Sequence, residues 1–200
     1  MKKMLMKILK WGGLAILVGY VALVIYRGFV LNGQDKTNEQ VAKIHSTKLS
    51  LDDVLGKNLP SPPANPDATI AGVDANTNGI RDDVELAIFA AYPNSARTRA
   101  VLLQYALALQ MEFVQPILNK DTVIAVVQEG GRAHLCVGAI LSRDDMTKYI
   151  EQGDTLRSFV ETRQVNTKER REREKDFYDK LGSYESLDRV CDINYSALPN

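Results

Sequence analysis

The sequence predicts a mainly α-helical protein in three parts: an N-terminal transmembrane helix, a Pro-rich stalk and a compact helical domain. Three observations carry this. Residues 11–26 (WGGLAILVGYVALVIY) are an unbroken apolar run behind a basic decapeptide. Pro60, Pro62, Pro63 and Pro66 crowd together just before the body of the chain. From Asp82 onward, apolar residues recur at helical spacing between capping residues and prolines.

The N-terminal elements follow from charge and hydropathy. Residues 1–10 (MKKMLMKILK) predict a cytoplasmic basic tail. Residues 11–31 give about 21 positions, close to the roughly 20 a helix needs to cross a bilayer. A core helix would keep a polar face for water, and residues 11–26 have none. A cleaved signal peptide is the competing reading. Cleavage needs small residues of A-x-A type, and RGFVLNGQ supplies none, which favours an uncleaved signal anchor. No cysteine stands nearby, so lipid attachment at a processed N-terminal cysteine is excluded. Lysines ahead of the span hold the N-terminus in the cytoplasm. The expected location is therefore the inner (cytoplasmic) membrane, single-pass, with the C-terminal domain extracytoplasmic or periplasmic.

The net charge of zero conceals an asymmetry. Residues 1–31 hold Lys2, Lys3, Lys7, Lys10 and Arg27 and none of the 25 acidic residues. The body is therefore net acidic, which argues against nucleic acid as its partner and is compatible with a cation.

Residues 32–67 read as a stalk or linker. NGQDKTNEQ is polar, KLSLDDVLGK predicts a short helix, and the prolines make a stiff extended connector. The domain is expected over 68–200. A helix from Asp82 to Tyr92 is stopped by Pro93. A second, from Asn94 or Ser95 to Gln115, ends before Pro116. Its wide apolar face (Val101, Leu102, Tyr105, Leu109, Phe113) makes it the expected core helix. DTVIAVVQEGGRAHLCVGAIL opens on an Asp121 cap, with Gly130–Gly131 expected to kink or split it, and TVIAVV alone is also compatible with a strand.

Ser142 and Asp145 predict a capping box before a helix whose Met146, Tyr149, Ile150, Gly153 and Val160 share one face. TKERREREKDFYDKL follows, with Glu169–Arg173 and Asp176–Lys180 at i,i+4 spacing and Gly182 as its expected end. Acids and bases alternate there, so a solvated face is favoured over a surface for an acidic partner or a membrane. Cys136 and Cys191 are the only cysteines. A disulfide between them is favoured over two buried thiols, in keeping with export.

The stretch DANTNGIRDDVE, residues 74–85, stands apart. A metal-free reading explains part of it: Asp82 with Glu85 makes a capping box, and Asn78–Gly79 a turn. That leaves Asp74 and Asn76 unexplained. Calcium takes six to eight oxygens, and a twelve-residue loop supplies them from positions 1, 3, 5, 7, 9 and 12. Those positions are Asp74, Asn76, Asn78, the backbone carbonyl of Ile80, Asp82 and Glu85, with Gly79 at the sharp turn and Arg81 and Asp83 expected to point outward.

On these residues the stretch resembles the calcium loop of EF-hand-like proteins, and especially those of thrombospondin type 3 and dockerin-like modules. The resemblance covers twelve residues of 200. It departs from a paired EF-hand in two ways. The loop's hydrophobic residue, Ile80, stands seventh, and the incoming ANPDATIAGV carries Pro66 and Gly72 and does not read as a helix. The resemblance therefore implies a single loop-plus-helix site, with no sensor-like opening. Beyond the loop the chain is similar to exported proteobacterial proteins carrying the same loop, which implies no activity.

Two of the side-chain ligands, Asn76 and Asn78, are neutral, so weak binding on the order of 10⁻⁵–10⁻³ M is expected, the range of extracellular modules. The cofactor expected is calcium, as a structural staple. His134-x-Cys136 is too small a set for zinc, which wants four ligands. G-x-S-x-G, H-E-x-x-H, P-loop and dinucleotide patterns are absent. The fold class expected is thus mainly α with an N-terminal transmembrane helix, a Pro-rich stalk and a compact helical domain with one calcium loop. Functionally, a membrane-anchored binding or interaction module of the cell envelope is expected, with another envelope protein as its partner. The alternative is an envelope hydrolase whose site is built from carboxylates that no spacing singles out.

Overall fold

The computed structural model describes residues 2–188 and 190–199. It divides into two units, residues 1–40 and 41–200.

The first unit is helical throughout its described length, as part of α1 (Lys2–Ser46). Here α1 is long and apolar enough to cross a membrane, with a mean hydropathy of 2.2 over its most apolar window. None of that window is buried, and Ile16, Leu17, Tyr20, Leu23 and Phe29 all lie bare. An apolar surface of this extent, on every side of a helix, is stable only in lipid or under other cover. A signal sequence near an N-terminus has the same properties.

The second unit is built around one helix. In chain order its further helices are α2 (Leu51–Leu55), α3 (Asp82–Ala91), α4 (Ala96–Val114), α5 (Lys120–Ala139), α6 (Met146–Gln164) and α7 (Lys168–Tyr178), followed by a 3₁₀ turn, Tyr195–Ala197. No strand occurs among the described residues. Ser95 caps α4 by accepting the Thr98 N–H, and residues 99–113 are buried without a break. A helix buried on all sides must be wrapped by others, and α2, α3, α5, α6, α7 and the 3₁₀ turn all pack on α4. The expected ends of α3 and α4, at Pro93 and Pro116, are those observed.

Several expectations differ from the structure. The compact unit begins at Val41, not near residue 68. Ile44, Leu49 and Val54 are core residues, so the first half of the expected stalk is part of the body. The proline-bearing second half is tied down too. Gln110 donates to the Ala71 carbonyl at 2.7 Å, and Arg170 donates to the carbonyls of Pro66, Thr69 and Ile70.

Asn119, not Asp121, caps α5, in a reciprocal box with Thr122. The helix runs unbroken through Gly130–Gly131, and TVIAVV lies inside it. Asp145 caps α6 alone, and the Ser142 hydroxyl bonds Asp144 instead. Of the expected α6 face, Gly153 and Val160 are buried, whereas Met146 and Ile150 are exposed. Thr167 caps α7, which ends at Tyr178, before Gly182. Its i,i+4 ion pair is Lys168–Glu172, and neither expected pair is among those formed by the described residues.

The disulfide is present: Cys136 and Cys191 are joined, with Cα atoms 5.2 Å apart. It fixes the C-terminal tail to α5. Beside it, Arg132 bonds Asp192 at 2.7 Å, and Asp192 accepts the Leu49 N–H. Glu129 receives His45 at 2.8 Å, Lys48 at 2.6 Å and Arg132. The two ends of the unit are thus clamped to one helix.

Candidate functional site

Residues 74–85 form a loop that closes onto the first turn of α3, and the structure brings all six expected site residues into it. Two positions have left-handed backbone, Thr77 (φ 57°) and Gly79 (φ 86°). At Gly79 a Cβ would also come within 2.7 Å of Leu107 Cδ1, so glycine answers both a backbone and a packing demand. Ile80 then sends its wholly buried side chain into the core, which fastens the loop to α4.

Asp74 organises the turn. Its Oδ1 accepts the Asn78 N–H at 3.1 Å and its Oδ2 the Gly79 N–H at 2.9 Å. Asn78 Oδ1 accepts the Ile80 N–H at 2.9 Å. Asp82 reaches back to accept the Ala75 N–H at 3.0 Å. Glu85, 1% exposed, closes the loop from below: Oε1 accepts the Asn78 side-chain N–H at 3.0 Å and Oε2 that of Asn76 at 3.1 Å. Asn76 also donates to the Asn58 carbonyl, linking the loop to the chain after α2.

The expected capping box is not formed. Arg81 is the residue before α3 and makes no side-chain cap, while Asp82 and Glu85 both face the loop. Arg81 was expected outside and is wholly buried. It is forked onto Asp83 at 2.9 and 2.5 Å and donates to the Gln164 carbonyl at 3.1 Å. The loop is thereby joined to the end of α6.

Electrostatically the loop is acidic, and its one cation, Arg81, is paired with Asp83. Burial raises the pKa of Glu85 to about 7, against the two carboxamide donors, and burial likewise raises that of Asp82. In this arrangement the carboxylates are held apart by N–H groups. Among the described residues, no group of three or more His, Cys, Asp or Glu side chains is placed to hold a metal ion. The residue types nonetheless suit a hard cation, because turning the Asn76 and Asn78 amides would present two more oxygens beside Glu85.

Of the other candidates, Cys136 is consumed by the disulfide, which ends the zinc or thiol reading of His134-x-Cys136. His134 meets Tyr105 edge to face at 6.5 Å. It lines a cleft of about 410 Å³ with Glu112, the one carboxylate in that lining among the described residues. The buried arginines were the features sequence reasoning missed. Arg170 sat in a run read as solvated, and no periodicity of charge marks the one cation that turns inward. No family model, curated protein or solved structure matches the chain, so the reading of this site rests on its own chemistry.

Proposed function

We propose that this is a membrane-anchored, extracytoplasmic binding or interaction module whose helical domain is stapled by one calcium ion at residues 74–85. The observation that carries the reading is Glu85: a carboxylate 1% exposed, fully inside the fold, faced by two carboxamides and, among the described residues, no cationic side chain. A buried carboxylate is costly without a counter-charge, and calcium would supply one. Asp74, Asn76, Asn78, the Ile80 carbonyl, Asp82 and Glu85 would hold it. The ion would stiffen the junction between the proline-bearing segment, α3 and α4. The apolar helix of residues 11–31 and the disulfide support an anchored, oxidising location. Exposed Met146 and Ile150 on α6 suit an interaction surface for another envelope protein. The hydrolase reading needs two converging acids, and the cleft beside α4 offers one in its lining.

The test is thermal unfolding of the full chain in detergent, with about 2 mM calcium and with chelator, beside Asp74→Ala. For a dissociation constant of about 0.1 mM, calcium stabilises the parent by about 2 kcal/mol through mass action. Asp74→Ala should show no calcium response. Identical melts for the parent in both conditions would reduce the loop to a turn that orients α3.

A further inference from the structure

Glu112 sits on α4 with 2% exposure and accepts one hydrogen bond, from the Tyr178 hydroxyl at 2.8 Å. Its second oxygen, Oε2, is buried with no hydrogen-bond partner among the described residues. The same carboxyl lines the 410 Å³ cleft walled by α4, α5, the end of α7 and the chain after it. That size falls within the range of about 300–1,000 Å³ typical of small-molecule sites.

Three tyrosines, Tyr105, Tyr178 and Tyr184, line the cleft, and Leu109, Val127 and Leu135 make its apolar wall. Among the described residues, no Lys or Arg is in the lining. Tyr105 and Tyr178 spend their hydroxyls on Glu161 and Glu112, which leaves their rings as the recognising surface. Across from them, Gly130 and Gly131 present bare backbone: a Cβ at either would meet nothing within 4 Å. Two adjacent glycines inside a helix cost about 1 kcal/mol each relative to alanine. An open floor in a cleft is a physical return for that cost.

We propose that this cleft binds a small organic ammonium ion, a primary amine on an aromatic or aliphatic body, with Glu112 as its counter-ion. The ammonium donates to Glu112 Oε2 as the Tyr178 ring, half-exposed at the end of α7, turns aside. Tyrosine faces stabilise the cation, and the carbon body lies over Gly130 and Gly131. An anion is disfavoured because Glu174 places a negative charge near Glu112. His134, pushed towards its neutral form chiefly by burial, offers no compensating cation. Burial also raises the pKa of Glu112 to about 8, the behaviour of a carboxylate without its counter-charge. The inference is independent of calcium at residues 74–85.

Isothermal titration of the full chain in an uncharged detergent tests it, with phenethylammonium as probe and 2-phenylethanol and phenylacetate as its neutral and anionic counterparts. Saturable one-to-one binding of phenethylammonium is expected, at least tenfold tighter than either counterpart. Glu112→Gln should weaken it at least tenfold. Gly131→Leu keeps the carboxylate, fills a floor where a Cβ meets nothing within 4 Å and should weaken binding equally, so it decides the matter even where Glu112→Gln fails to fold. Absent binding to the parent, equal binding of phenylacetate, or undiminished binding to Gly131→Leu overturns the proposal.

Discussion

Arg170 and Asp67, 103 positions apart in the chain, are joined at 2.5 Å by a guanidinium that has no exposed surface. The same side chain donates to the carbonyls of Pro66 at 3.1 Å, Thr69 at 3.0 Å and Ile70 at 2.9 Å. One arginine on α7 therefore takes up most of the polar demand of a loop that has no helix or strand to satisfy it. Arg170→Ala should destabilise the fold by about 3 kcal/mol, since it leaves several carbonyls and a carboxylate without their donor. Arg170→Lys keeps the charge but loses the fork, and should fall between parent and alanine in denaturant midpoint.

The pair also sets an acid response. Hydrogen bonds from Arg170 and then Asn166 hold the pKa of Asp67 below its ordinary value. A depressed carboxylate contributes stability above its unfolded-state constant, and that stability is lost as pH falls through the lower folded value. Unfolding below about pH 4 should therefore be steeper in the parent than in Asp67→Asn, measured by denaturant titration across pH.

Two glycine substitutions should act in opposite directions. Gly79→Ala forces a side chain into left-handed backbone and against Leu107, at an expected cost of about 2 kcal/mol. Gly130→Ala adds a methyl group to open space inside α5 and should stabilise by about 0.5–1 kcal/mol. Chemical denaturation of both variants beside the parent checks the signs. A stabilised Gly79→Ala would contradict the loop geometry described above.

Glu112 predicts a stability slope of opposite sign to that of Asp67. Its pKa is raised by burial to about 8, so the folded state holds a proton that the unfolded state has released from about pH 4.5 upward. Stability should fall by a few kcal/mol as pH rises from about 4.5 to 8 and then level off. Glu112→Gln should remove most of this slope. In chelator Glu85, raised to about 7, contributes the same sign up to that pH, and this part should persist in Glu112→Gln. A parent whose stability is flat between pH 5 and 8 would refute the buried, uncompensated carboxylate.

The disulfide closes a separation of 55 residues and should be worth about 4 kcal/mol in the chain-entropy picture. Cys191→Ser with Cys136→Ala should lower the melting temperature and loosen the tail that carries Asp192, which bonds Arg132 and the Leu49 N–H. Limited proteolysis near residues 183–195 reads that second effect directly.

The sequence by itself determined the elements whose cause is local. An unbroken apolar run identifies the membrane-length helix, and prolines at 93 and 116 with a serine at 95 end and start α3 and α4, because caps and ring sterics act within a few residues. It also gathered the six loop positions, since their spacing lies within twelve residues. Gly130–Gly131 misled for the same reason: propensity speaks for a break, and packing along α4 overrides it.

Tertiary structure alone decided which charges turn inward. Arg81, Arg132 and Arg170 look like their solvated neighbours in the chain and differ only in carbonyls and carboxylates that arrive from distant segments. The docking of Ile44, Leu49 and Val54, and the cleft over Gly131, have the same origin. Each depends on contacts between residues far apart in sequence, whose energy no short window of residues contains.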